Sequence, residues 1–192
     1  MEKLTGKKNI AVFISGRGSN LKSLIKYSKS KYSQINIKLV ISSKNNAMGL
    51  KYAKESNIKF YISNYKNAVN SEKRILKNIN KLKIDFICLA GYMKILSRHF
   101  IKQFNKPILN IHPSLLPKYK GLNTHERVLK NRENFSGSSV HVVTPNLDSG
   151  KIILQKKVKI LKNENAKSLE KKILKVEHKL YPEAIRKFIS NL

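Results

Sequence analysis

Asn110 and His112 stand two residues apart in the stretch ILNIHPSLLPKYKG, residues 108–121. Along a strand, side chains two apart project to the same face, so an amide and an imidazole are expected side by side at the strand's end. Pro113 follows at once. Lacking an N–H, it cannot continue a ladder and turns the chain out of the sheet. Such a pair suits a carbonyl carbon under attack: the amide donates to a developing oxyanion while the imidazole handles a proton or carries positive charge. Asp148, in the polar turn TPNLDSG, is expected to reach the same cleft, where its carboxylate would orient the ring of His112 and favour the imidazolium. Each of these residues taken singly is an ordinary strand-end or turn residue. Together they make a candidate catalytic set.

A second cluster lies near the amino terminus. SGRGSN, residues 15–20, follows an apolar run and opens a helical pattern, so backbone N–H groups at that helix start are expected to hold an anion such as a phosphate. A dinucleotide fingerprint fails here. Leu21 occupies the third glycine position, and the next strand ends in Ser42-Ser43 rather than an acidic residue. A monophosphate fits better than NAD.

The elements that position these residues alternate. Apolar, β-branched runs at 9–15, 35–42, 58–63, 85–92, 106–111, 136–143 and 151–160 read as strands, the last alternating as an edge strand does. Helical spacing is found at 20–30, 45–57, 70–82 (capped by Asn70 or Ser71), around 97–104, at 121–131 and from 165 to the end, where Pro182 is expected to interrupt or bend the last helix. The order implies right-handed crossovers and an α/β fold: a doubly wound, mostly parallel sheet with helices on both faces. Ligands of such sheets bind beyond the carboxyl ends of the strands, where SGRGSN, AGYMKIL, NIHPSLLP and TPNLDSG fall. With no repeat or linker, the 192 residues read as a single domain, 1–192.

At this point ISGRGSNL, LAGYMKILS, LNIHPSLLPKYKGLNTH, GSSVHVVTPNLDSGKIILQ and VEHKLYP together resemble, in spacing and order, the phosphoribosylglycinamide formyltransferase family of folate-dependent enzymes. The resemblance runs from about residue 9 to 183. It implies a Rossmann-like formyltransferase fold and transfer of a formyl group from the co-substrate 10-formyltetrahydrofolate to the amine of glycinamide ribonucleotide, in de novo purine biosynthesis. Matched motif by motif, it implies Asn110, His112 and Asp148 as catalytic residues. Gly18, Ser19, Asn20 and Glu177 fall on the ribonucleotide site. Met93, Lys94, Ile95 and Leu96 fall on the folate pocket, together with Asn110 and the backbone of 144–148. The family's folate-contacting arginine, early in the third helix, has no position in register here; Lys73 and Arg74 are the alternatives, and neither is counted among the site residues. The chain departs from the family at Asn123, where relatives often carry His, at Leu174 in place of a polar substrate contact, and at Arg17 in the middle of the phosphate loop. Methionyl-tRNA formyltransferase and formyltetrahydrofolate deformylase carry a further domain for which this chain is expected to have no room. A formyl transferase acting on a nucleotide sugar is the nearest rival reading.

Composition bounds the rest. Formal net charge is +29, from 40 basic and 11 acidic residues. Only six of the basic residues are arginine, against 34 lysines, and no basic run exceeds two residues. Twenty asparagines and 22 isoleucines accompany them, which reads as A/T-rich coding drift rather than a nucleic-acid patch. Specific nucleic-acid binding is therefore not expected. Cys88, the single cysteine, lies in an apolar run, so no disulfide framework exists and a cytoplasmic setting follows. Five scattered histidines show no ligand spacing, so no metal is expected, and His99, His125, His141 and His178 read as structural. No apolar run approaches a membrane span or a signal-peptide core.

Overall fold

The apolar run after Lys7 forms strand β1 (Lys8–Ile14), whose last five residues are buried, as a strand covered on both faces requires. A computed structural model describes residues 6–63 and 67–191. In chain order the remaining elements are α1 (Ser19–Ser28), β2 (Ile35–Ser42), α2 (Leu50–Glu55), β3 (Phe60–Ile62), α3 (Ala68–Lys81), β4 (Phe86–Leu89), α4 (Arg98–Phe104), β5 (Ile108–His112), α5 (Thr124–Lys130), β6 (Phe135–Val142), β7 (Ile152–Lys159) and α6 (Ala166–Ser190). The strands form one seven-stranded sheet in the order β3-β2-β1-β4-β5-β6-β7. Pairs β1–β2, β1–β4 and β2–β3 are parallel, while β5–β6 and β6–β7 are antiparallel. The expected α/β fold with a mostly parallel sheet is thus the observed one. Among the described residues no helix is long and apolar enough to cross a membrane.

The chain forms two compact units, Met1–Ile108 and Leu109–Leu192. In the first, Leu21 and Leu24 of α1 and Ile75 and Ile79 of α3 bury the apolar stripes their helical spacing prescribes. Phe13 meets Phe100 edge-on at 6.4 Å between ring centroids. Two helix boundaries differ from expectation. The α3 cap is Asn67, whose side chain accepts from the Asn70 N–H at 3.0 Å, so the helix begins before the expected Asn70 or Ser71. Helix α2 is shorter than the 45–57 pattern, because Gly49 is drawn against the preceding loop: its N–H donates to Gly16 O at 2.9 Å.

The second unit packs α5 and α6 through Val128, Leu169 and Ile173, with Tyr119, Leu129, Val158 and Ile160 against them. Helix α6 begins with a capping box of Asn165 and Ser168 and runs through Pro182 without interruption. Packing of Leu180, Tyr181, Ala184 and Ile185 on both sides of the proline offsets the backbone bond it removes. The Tyr181 hydroxyl donates to Leu109 O at 3.0 Å, which ties the helix to β5.

Gly18 generates a test of the fold. It adopts φ +71°, and a Cβ there would stand 2.4 Å from Gly49 Cα. Both the left-handed backbone and the close approach exclude a side chain. Gly18→Ala is expected to cost more than about 1 kcal/mol, lowering Tm by at least roughly 2–4 °C for a chain of this size. Thermal unfolding of the two proteins side by side measures it, and an unchanged Tm would show that the contact gives way freely.

Candidate active site

Asn110 and His112 occupy the third and last positions of β5 and project together, as the strand's parity demands. Antiparallel pairing with β6 sets His141 directly opposite Asn110, and Ser139 opposite His112. The carboxyl end of β6 therefore does not lie beside that of β5, as a run of parallel strands would have it. The loop after β6 instead returns the chain, and Asp148, at φ 43°, turns its carboxylate into the cluster.

The contacts are specific. Asp148 Oδ2 accepts the Gly121 N–H at 2.9 Å and lies 3.4 Å from His112 Nδ1. Asp148 Oδ1 lies 3.4 Å from Asn110 Nδ2 and 3.5 Å from His141 Nε2. His112 Nε2 is 2.8 Å from the carbonyl oxygen of Tyr119. A carbonyl only accepts, so Nε2 carries the hydrogen, and in the neutral ring Nδ1 is left as the basic atom facing Asp148. His141 Nδ1 donates to Val142 O at 3.0 Å by the same reasoning, which leaves its Nε2 to accept from the Asn110 amide at 3.1 Å. The Asn110 amide nitrogen thus has one good acceptor and one long one.

Electrostatics correct one expectation. Asp148 does favour the imidazolium of His112, and so does the Tyr119 carbonyl, but burial outweighs both and places the His112 pKa below its ordinary 6.5. Arg127 and His141 push the same way as burial. The resting ring is therefore neutral near pH 7, not cationic. Burial raises the Asp148 carboxyl, yet contacts with His141, the Gly121 N–H and the two imidazoles more than reverse this and hold it below the usual carboxylate range. The sign of the linkage is the same for both groups. Each folded pKa is depressed, so protonation favours the unfolded chain, and the stability contributed is lost as pH falls, first from His112 below about 6.5 and then from Asp148 below its ordinary 3.8.

The other expected site residues lie as follows. Glu177, on α6, is buried with its Oε1 3.4 Å from Ser138 Oγ, a hydroxyl that also lies 2.9 Å from His112 O. In the first unit Gly18 is the N-cap of α1 in the left-handed region and offers no side-chain cap, and Ser19 and Asn20 open that helix. The stretch Met93–Leu96 exposes Met93, Lys94 and Ile95 and buries Leu96. It is anchored beside the glycine loop, because the Met93 N–H donates to Ser15 Oγ at 2.8 Å and the Ser15 hydroxyl meets that of Ser43 at 2.6 Å. Of the departures, Asn123 is the N-cap of α5 at φ 55° and Leu174 is half-buried.

Sequence reasoning missed two groups. His141 was read as structural, yet it is buried within hydrogen-bond reach of Asn110 and close to Asp148. Its partner register with Asn110 was the signal, and it needed the antiparallel pairing to be read. The Tyr119 carbonyl left no signal, since a backbone atom has no residue type.

With this geometry in place, comparison with known proteins gives a consistent answer. The formyl transferase family profile matches residues 8–185. A phosphoribosylglycinamide formyltransferase of Haemophilus influenzae is 41% identical over 184 residues, covering 94% of this chain and 87% of that protein. The human trifunctional purine biosynthetic protein adenosine-3 is 39% identical over 183 residues, and the chain spans only 18% of that protein's length. A crystal structure of phosphoribosylglycinamide formyltransferase from Brucella melitensis superposes with a TM-score of 0.90 at 40% identity, covering 95% of each chain. Family profile, fold and relatives point the same way: this chain belongs to the formyl transferase family.

Proposed function

We propose that this chain transfers the formyl group of 10-formyltetrahydrofolate to the amine of glycinamide ribonucleotide, releasing tetrahydrofolate, in de novo purine biosynthesis. The observation that carries the reading is the contact of Asn110, buried His112 and Asp148 at a strand end, in a member of the formyl transferase family. Relatives of similar length bear the name of that reaction. Met93–Leu96 and Asn110 are assigned to the folate, and Gly18, Ser19, Asn20 and Glu177 to the ribonucleotide and its phosphate, whose charge suits the start of a helix.

Each step of the chemistry has a residue to perform it. The substrate amine attacks the formyl carbon, and the carbonyl oxygen becomes an oxyanion. The second N–H of Asn110, which makes only a 3.4 Å contact with Asp148, is the donor most readily turned toward that oxygen. The attacking nitrogen gains positive charge and loses a proton, directly or through water, to His112 Nδ1. The imidazolium so formed is held between the Tyr119 carbonyl and Asp148, and its charge stabilises the oxyanion. When the tetrahedral intermediate collapses, the same proton is returned to the departing folate nitrogen. Burial keeps His112 a ready base, and Asp148 makes its brief protonation tolerable.

Activity is expected to depend strictly on glycinamide ribonucleotide, as read by absorbance of the released folate product with and without that substrate. Turnover with an amino-sugar nucleotide and none with glycinamide ribonucleotide would overturn the substrate while leaving the transferase class.

Asp148→Asn removes a charge that raises the His112 pKa, so the His112 titration followed by NMR is expected to move further below 6.5. Positioned acid–base groups contribute roughly 10²–10⁴-fold, so kcat is expected to fall within that range with little change in folate KM. His112→Ala is expected to cost a similar amount, and the double variant little more than either, because the two act as a unit. Effects that multiply independently would separate Asp148 from His112.

A further inference from the structure

The loop that supplies the Tyr119 carbonyl is fastened from outside the catalytic cluster. Tyr119 itself holds a left-handed backbone, φ 57°, uncommon for an aromatic residue. Its hydroxyl donates to Glu133 Oε1 at 2.9 Å and accepts from Asn131 Nδ2 at 2.9 Å. Lys118 Nζ reaches the same Glu133 oxygen at 2.9 Å. The Arg127 guanidinium stands 5.5 Å from the Tyr119 ring centroid and donates to Lys120 O at 2.6 Å. The ring also rests against the apolar cluster of Val128, Leu169 and Ile173. One side chain is thereby gripped at its hydroxyl, along its face and at its edge, while its backbone carbonyl is aimed at His112 Nε2.

We propose that Glu133, acting through the Tyr119 hydroxyl, is a positioning residue for the reaction: it fixes the Tyr119 carbonyl on His112 Nε2 and so makes Nδ1 the nitrogen that exchanges the proton. The proposal rests on the reading of His112 as the proton-handling group. Its physical logic is simple. An imidazole has two tautomers of similar energy, and a fixed acceptor at Nε2 selects the one whose base faces Asp148. A left-handed tyrosine on a surface loop does not hold such an aim unaided. Glu133 is suited to the task because hydrogen bonds from Lys118 and from Tyr119 hold its carboxyl below the usual range, so it stays an acceptor at any pH where the enzyme works.

The test compares wild type, Glu133→Ala, which removes the acceptor of the Tyr119 hydroxyl, Tyr119→Phe and the double variant, each as the whole chain. The charged and titratable groups facing His112 are Asp148, His141, Arg127 and His125, and all of them stay in place. Losing the Tyr119 carbonyl removes an influence that raises the His112 pKa, so the expected result is a lower titration midpoint and a mixed tautomer by ¹⁵N NMR in each single variant. Turnover should fall about 2- to 12-fold, the range of one hydrogen bond of 0.5–1.5 kcal/mol, with ribonucleotide KM little changed. The double variant should match the singles, since both cut one contact. A lowered Tm with an unchanged His112 midpoint and tautomer would reduce Glu133 to loop stability and overturn the proposal. Should Glu133→Ala not fold, Tyr119→Phe carries the same readouts. The NMR readouts need no turnover, so they judge the clamp separately from His112's role, which His112→Ala tests by activity.

Discussion

Asp148 holds a carboxylate whose side chain is only 8% exposed in the loop after β6, and taking such a charge out of water costs several kcal/mol unless donors replace the water. Most of the local architecture answers that demand. Gly121 supplies a backbone N–H and Asn110 turns its amide toward the other oxygen, while the imidazoles of His112 and His141 lie against opposite oxygens, where a protonated ring becomes a donor. Two loops and two strands are thereby committed to one carboxylate. The loop after β5 cannot move without leaving Oδ2 short of its best donor, and the loop after β6 cannot move without taking the charge away.

The same burial decides the state of His112. A carboxylate 3.4 Å away pulls the ring toward protonation, and the surrounding protein pulls harder the other way. A neutral imidazole next to a carboxylate is a poised arrangement, and on the proposed function it is what lets the ring take up a proton without being compelled to keep it. The lysine-rich surface takes no direct part in this balance. Arg127 pushes the His112 ring toward its neutral form.

The first unit follows a different constraint, close backbone approach. Gly18 and Gly49 meet so tightly that neither tolerates a Cβ, and this contact shortens α2 while holding the loop that opens α1. Ser15, immediately before that loop, accepts from Met93 and so joins the glycine loop to the stretch assigned to the folate. Small residues at the ends of β1 and β2 do this work because larger ones would push the loops apart.

Much of this was legible in the residues. Alternation of apolar runs and helical stripes determined the α/β class, because burial on both faces of a parallel strand leaves few polar positions. Strand parity put Asn110 beside His112, and proline ended the strand after them. The motifs carried the family. What the sequence could not supply were contacts made across a change of strand direction or through backbone atoms. Antiparallel pairing of β6 on β5 brought His141 to Asn110, and nothing local distinguishes a strand that will pair antiparallel from one that will not. Pro182 lay inside a helix because tertiary packing of α6 overrode the local rule. The protonation of His112 was misjudged for the same reason: the neighbouring carboxylate is visible as a residue, whereas the desolvation that outweighs it exists only once the chain has folded around the ring.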